Sequence, residues 1–137
     1  MQDIPHHFFS AIRFAKDAVE LRTAANKKIA DLNRKIGIRR ERIAKIREEY
    51  SISGADLNAL YAQAMQHTHG YQGTYTIQGS GAADSREIPA GVLTNLQTEE
   101  GAIRDENAAV ERLTRIVRNM PDGMHNVSYE DLEFLGL

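Results

Sequence analysis

Apolar residues in the first third of the chain recur every three or four positions, which is the spacing of one face of an α-helix. No proline lies between Ser10 and Tyr50, and Ser10 is placed to act as an N-cap. The apolar stripe consists of Ala11, Ala15, Ala18, Ala25, Ile29, Leu32, Ile36, Ile43, Ile46 and Tyr50. Because the stripe keeps its phase across Gly37, the pattern predicts one continuous helix over about residues 10–50.

The apolar face is broad at the start of this predicted helix and narrow afterwards. Ile12, Phe14, Val19 and Leu21 flank the stripe on both sides, and a face of that width requires more than one partner helix. After residue 25 charged side chains edge the stripe, which is typical of a two-helix coiled coil. A 41-residue helix would be about 60 Å long, whereas a compact chain of this size is only about 37 Å across. We therefore expect a homo-oligomer whose interface includes Ile12, Phe14, Val19 and Leu21.

The remaining pattern predicts shorter elements and a second long helix. Ser53 or Gly54 can cap a helix over residues 55–66, and residues 67–89 form a glycine-rich loop or a small hairpin. A second stripe predicts an acidic helix over residues 90–120, followed by a short C-terminal turn over 128–135. The predicted fold is all-α: a single domain over residues 1–137, built as a long antiparallel helical hairpin or coiled coil.

Charge is distributed unevenly along the chain, although the net charge is only −2. Residues 11–50 contain twelve Lys/Arg and six Asp/Glu, whereas residues 84–137 contain five Arg and eleven Asp/Glu. Helices of opposite charge attract one another when they pack side by side. We expect mutual neutralisation, with binding of an anionic ligand by the basic helix as the alternative.

The sequence contains no cysteine, no secretory signal pattern and no long apolar segment, and these features bear on where the protein is expected. It has no cysteine, so it forms no disulfide, and a reducing cytoplasm is the expected location. The first residues show no secretory signal pattern. No apolar run reaches the roughly 20 residues that span a bilayer, and we expect no membrane partner.

No catalytic or metal-binding motif is present in the sequence. The pairs His6-His7 and His67-x-His69 lack the further ligands that zinc requires. No nucleophile elbow, phosphate-binding loop or HExxH pattern occurs. We therefore predict a protein that is not an enzyme and that uses no cofactor and no metal.

Three functions remain open on the sequence. The first is an oligomeric interaction protein that blocks, tethers or assembles another macromolecule, with a partner protein docking on Tyr129, Leu132, Phe134 and Leu135. The second is a sequestering module that holds an anionic nucleotide in an inter-subunit pocket formed by Arg22, Lys27, Lys28, Phe8 and Phe9. The third is nucleic-acid binding by the basic helix through Arg39, Arg40, Arg42, Lys45 and Arg47.

Overall fold

The computed structural model of the chain describes residues 13–67, 71–77 and 85–137. In chain order these residues form β1 (Arg13–Asp17), α1 (Ala18–Glu49), α2 (Gly54–Ala64), β2 (Thr74–Ile77), β3 (Arg86–Pro89), α3 (Ala90–Val117), β4 (Met124–Ser128) and α4 (Tyr129–Leu135). Helices dominate, as predicted, but β1 pairs with β4 and β2 pairs with β3 in two small antiparallel sheets. The prediction of an all-α fold is therefore wrong, because the described chain is helical with two added strand pairs.

The first strand stands where the start of the long helix was predicted. Residues 13–17 are extended because they pair with β4, which is more than 100 positions away in the sequence. Helix α1 then begins at Ala18, where the Asp17 carboxylate accepts a hydrogen bond from the backbone N–H of Val19 at 2.9 Å. Such a side chain replaces an intrahelical partner that the first turn lacks. The predicted cap at Ser10 lies outside the described residues.

Helix α1 continues without a break through Gly37, as the phase of the apolar stripe predicted. It ends after Glu49, where Ser51 adopts a left-handed conformation with φ of 51°. The backbone N–H of Ile52 then donates to Arg47 O at 2.8 Å, which satisfies one of the last helical carbonyls. The helix therefore ends close to residue 50, where the apolar stripe of the sequence ends.

Contacts divide the chain into two compact units. Unit 1 comprises residues 1–36 and 105–137, and unit 2 comprises residues 37–104. The interpretation of residues 1–137 as a single domain stays a prediction.

The core of unit 2 lies between its helices and the β2–β3 sheet. Its buried members are Ile52, Leu60, Tyr75, Ile77, Ile88, Ala90, Leu93 and Leu96. Helix α2 packs on β2 and begins with a capping box, in which Ser53 and Asp56 each accept a hydrogen bond from the other's backbone N–H. Residues 74–77 and 86–89 pair antiparallel, which agrees with the small-hairpin alternative for residues 67–89.

The core of unit 1 joins the two long helices to the C-terminal segment. Its buried members are Leu21, Ala25, Leu113, Val127, Leu132 and Leu135. Helix α4 begins at Tyr129, with the Ser128 hydroxyl accepting from the Asp131 backbone N–H at 3.2 Å, and ends at Gly136 in the left-handed conformation. Within the described ranges, no helix has the length and hydrophobicity needed to cross a bilayer.

Candidate interaction surface

The β1–β4 sheet carries backbone groups that point away from both of its strands. Ala15 lies opposite Asn126. Three residues further along the chain, at the start of α1, the N–H of Ala18 donates to Gly123 O at 2.8 Å. Hydrogen-bonded and non-hydrogen-bonded pairs alternate along an antiparallel ladder. Ala15 and Asn126 are therefore a non-hydrogen-bonded pair, and so are Asp17 and its partner. The N–H and C=O groups of Ala15 and the N–H of Asp17 point outward from the edge of β1, whereas the C=O of Asp17 stands at the N-cap position and accepts the first hydrogen bond of α1.

Neither edge of this sheet is paired within the described part of the chain, where the sheet consists of β1 and β4 alone. A two-stranded sheet is marginally stable in water unless another strand or a helix supports it. An unpaired edge also presents a row of donors and acceptors to any extended chain that approaches. The edge of β1 is therefore chemically suited to accept a further strand.

Large apolar side chains lie exposed on this sheet and just after it. Phe14 is 38% exposed, Val19 is 57% exposed and Met124 is 65% exposed. The Phe14 ring contacts the ring of Tyr129, with centroids 6.4 Å apart. Phe14 and Met124 lie on opposite faces of the sheet, because Phe14 is opposite Val127 whereas Met124 is opposite Asp17, so apolar surface is exposed on both faces.

The predicted oligomer interface is only partly at the surface. Phe14 and Val19 are exposed, whereas Leu21 has no exposed area because it lies in the core of unit 1. Ile12 lies outside the described residues. The strand rather than a broad helical face positions Phe14, so the exposed apolar residues belong to a sheet and to the first turn of helix α1.

The predicted partner-docking residues mostly pack inward. Leu132 and Leu135 are buried at 6% and 5% exposure in the core of unit 1. Phe134 is half-buried beneath two cations, with Lys28 Nζ 4.6 Å and the Arg112 guanidinium carbon 4.0 Å from its ring centroid. The tail therefore folds back on its own unit.

The predicted ligand-binding lysines line a cavity of about 590 Å³ in unit 1. Lys27 and Lys28 contribute cations, but Glu20 and Asp31 line the same cavity, so its formal charges balance. The Lys28 ammonium also donates to the backbone carbonyl of Phe134. Arg22 is engaged elsewhere, where it donates to Met120 O at 2.9 Å and to an Asp122 carboxylate oxygen at 2.6 Å.

Phe8 and Phe9, the aromatic part of that prediction, lie outside the described residues. The cavity therefore brings together Lys27 and Lys28 from the predicted set, and it does not include Arg22.

The predicted nucleic-acid residues are partly neutralised within unit 2. Glu99 accepts hydrogen bonds from Arg39 at 3.1 Å and from Arg42 at 3.4 Å. Arg47 donates to Ile52 O at 3.1 Å, at the end of α1. Arg40 and Lys45 are exposed. The expected pairing of basic and acidic helices therefore occurs here.

A partly buried hydrogen bond in unit 2 joins the Tyr61 hydroxyl to Glu100 Oε2 at 2.6 Å. Burial and the adjacent Glu100 carboxylate raise the pKa of Tyr61 well above its ordinary value of 10. Tyr61 therefore keeps its proton at physiological pH and serves as a fixed donor to Glu100.

The two histidines in the described ranges, His67 and His125, both contact other residues of their own chain. The His67 ring stacks on Tyr71 with centroids 3.9 Å apart, and His125 Nε2 lies 2.6 Å from Pro121 O. His6, His7 and His69 lie outside those ranges. Among the described residues, no three His, Cys, Asp or Glu side chains are grouped to hold a metal ion.

Sequence reasoning missed the edge of β1, although one local signal was available. Asp17 is followed three positions later by Glu20, immediately before the apolar residues of α1. That spacing is typical of a helix start and would have moved the predicted boundary from Ser10 to Asp17. The pairing with β4 has no such local signal, because the two strands are distant in sequence.

Comparison of the chain with protein-family models, with curated proteins and with solved structures finds no match in any of the three.

Proposed function

We propose that this protein is a non-enzymatic interaction protein that self-associates at the β1–β4 sheet and binds another macromolecule to block, tether or assemble it. The observation that carries the proposal is the outward-facing edge of β1 with Phe14 and Val19 exposed beside it. A surface of this kind buries apolar area and forms main-chain hydrogen bonds when a protein chain covers it.

The balance of charges in both units supports a protein partner over a nucleic acid. Strong binding to a polynucleotide requires several cations that are available to phosphates. In unit 2 Arg39 and Arg42 already contact Glu99, and the net charge of the chain is −2. Apolar contacts, in contrast, depend little on salt, so self-association is expected to persist at high ionic strength.

The test is the mass of the protein in solution, measured by light scattering after gel filtration over a range of concentrations and salt. The wild-type chain is expected to form an oligomer that 0.5 M salt does not dissociate. The double variant Phe14→Ser/Val19→Ser is expected to shift the mass toward the monomer. Met65→Ser is the matched control, because Met65 is 87% exposed but lies in unit 2.

A wild-type protein that stays monomeric at all concentrations would overturn the self-association part of the proposal. Oligomers that persist in the double variant but dissociate in Met65→Ser would move the interface to unit 2.

A second candidate is an anion-binding module, and the cavity beside Lys27 and Lys28 favours it. A ligand that binds only the native state raises the melting temperature. Nucleotides at millimolar concentration should therefore stabilise the wild-type chain and not the double variant Lys27→Ala/Lys28→Ala. Absence of a shift with nucleotides would remove this candidate, and the balancing acids Glu20 and Asp31 make it the weaker one.

A further inference from the structure

We infer that helices α1 and α3 open together at one level of unit 2, marked by Gly37 and Gly101, and that the ion pairs of Glu99 hold this level closed. The opening is a local and reversible loss of helical hydrogen bonds, which proteins undergo without unfolding as a whole. It is independent of the proposed self-association.

Neither glycine is required by its surroundings. Gly37 lies in the interior of α1 and Gly101 in the interior of α3, and neither has a positive φ. A Cβ atom at Gly37 would have no neighbour within 4 Å, and one at Gly101 would meet only the end of the Arg104 side chain at 3.5 Å. Alanine would therefore fit at both positions, whereas glycine weakens a helix interior because it loses more backbone freedom on folding.

The two glycines lie at the same level of the helix pair, to within about one helical turn. Arg39 Nη1 donates to Glu99 Oε2 at 3.1 Å, which joins the two helices at these positions. Later residues of α1, between 43 and 50, pack on the core that includes residues 90–96 of α3, so the helices run antiparallel. Each glycine stands two residues beyond its own end of the ion pair, in the same direction and about 3 Å along the axis.

Apolar burial is sparse at this level. Residues 37–42 are exposed except for the partly buried Arg39, and none of residues 97–104, all of which the structure describes, is buried. The core of unit 2 reaches along α3 only as far as Leu96. Segments with few buried apolar contacts open at a lower free energy than the core does. Helix opening is therefore expected to concentrate at the glycines.

The Glu99 carboxylate links the two helices beside the glycines. It accepts hydrogen bonds from Arg39 and Arg42 at 3.1 and 3.4 Å, and its side chain is only 16% exposed. Arg42 is 58% exposed, so added salt reaches this pair and weakens it. Opening of the helices separates these charges, and ionic strength therefore controls how often the helices open.

Hydrogen exchange of individual backbone amides, followed by NMR on the whole chain, tests this motion. Protection factors for residues 38–42 and 101–104 are expected to be about tenfold lower than those of Ala25 and Leu96, which are fully buried in helices. Equal protection at all of these amides would overturn the inference.

Substitution of the glycines tests their role. Gly37→Ala and Gly101→Ala should each raise protection at this level by about fivefold, and each should do so in both helices because they open together. Gly91→Ala is the matched control, since a Cβ there also has no neighbour within 4 Å but lies in the first turn of α3. Protection that rises only in the substituted helix would overturn the joint opening. No rise in either helix would overturn the role of the glycines.

Removal of the Glu99 charge tests the ion pairs. Glu99→Gln should lower protection at the same amides by about threefold, and 0.5 M salt should do the same in the wild type but add little in the variant. Glu41→Gln is the matched control, because it removes an exposed carboxylate from the neighbouring turn of α1. Unchanged protection in Glu99→Gln, or an equal loss in Glu41→Gln, would overturn the role of Glu99.

Discussion

The two small sheets of this protein each consist of two antiparallel strands, but their edges are covered differently. In unit 2 the outward N–H and C=O of Thr76 on β2 are both bonded to the Gln63 side-chain amide, at 3.0 and 2.6 Å. In unit 1 the corresponding groups of Ala15 have no partner within the described ranges. The comparison teaches that one helix side chain can close a strand edge, and that β1 lacks such a cover.

The other edge of the unit 2 sheet is also protected. Pro89 on β3 has no N–H to offer, and Glu87 places a charge on the outward side. The inward side chains Tyr75, Ile77 and Ile88 are buried in the core. The unit 2 sheet is therefore an integral part of its core with part of each edge covered, whereas the unit 1 sheet buries Val127 and leaves Phe14 and Met124 exposed.

The largest expected effect comes from removing a core side chain of the unit 2 sheet. Ile88→Ala should lower the free energy of unfolding by about 2–5 kcal/mol. The Ile88 side chain is only 2% exposed, so its removal leaves a cavity in the core. Phe14→Ala in the unit 1 sheet should cost only about 1–2 kcal/mol, since its ring is already partly in water. Urea unfolding measures both.

Glu87→Ala is the control for Ile88→Ala, because Glu87 lies next to it on β3 and is exposed. Equal losses for Ile88→Ala and Phe14→Ala would contradict the difference between the sheets.

The next effect concerns the closed edge. Gln63→Ala should destabilise the protein by about 1–3 kcal/mol, because both Thr76 backbone groups lose their partner. It should also create a second open edge, so the mass measured by light scattering should rise with concentration beyond the wild-type value. Gln66→Ala is the control, as Gln66 is exposed just after α2.

Unchanged stability and mass in Gln63→Ala would show that the amide does not protect β2. In that case the contrast between the two sheet edges would lose its energetic basis.

Ion pairs provide a smaller contrast between the units. Glu99 accepts from two arginines and its side chain is 16% exposed, so Glu99→Ala should cost about 1–3 kcal/mol. Asp122 pairs with Arg22 at 2.6 Å but is 87% exposed, so Asp122→Ala should cost about 0–1 kcal/mol. Thermal or urea unfolding of the two variants measures both losses. A larger loss in Asp122→Ala than in Glu99→Ala would contradict this contrast between the ion pairs.

The smallest expected effect is a pH dependence in unit 2. The hydrogen bonds from Ser53, with Arg86 nearby, hold the pKa of Asp56 below its ordinary value of 3.8. A lowered pKa in the folded state means that this stabilisation is complete above the unfolded-state pKa and is lost as the pH falls through the folded value. Urea midpoints measured from pH 6 to pH 2.5 should therefore fall less steeply in Asp56→Asn than in the wild type.

Asp105→Asn is the control for that experiment, because it removes one exposed carboxylate from α3 without touching the Ser53 cap. If Asp56→Asn and the wild type show the same acid dependence, the hydrogen bonds of Asp56 do not contribute to it.

Much of the helical architecture could be predicted from local patterns. The continuous α1 across Gly37, the stop at residues 51–54, the Pro89 boundary of α3 and the cap at Ser128 all follow from spacing and capping chemistry that act within a few residues. These features are local, so the sequence was sufficient for them.

The parts that were wrong depend on contacts between distant residues. Residues 13–17 are a strand because β4 lies beside them, and the alanine-rich start of the stripe contains no signal for that pairing. Leu21 and Leu135 were assigned to binding surfaces, yet they are buried in the core of unit 1. Apolar residues read the same in a sequence whether their own chain or another chain covers them.

The amino-acid sequence by itself determined where the helices run and how their charges are distributed, because turns, caps and periodicity act over a few residues. Only the tertiary structure decided which edge of a strand is covered and which is open. That difference depends on single side chains such as Gln63, which reach the backbone of another element across space.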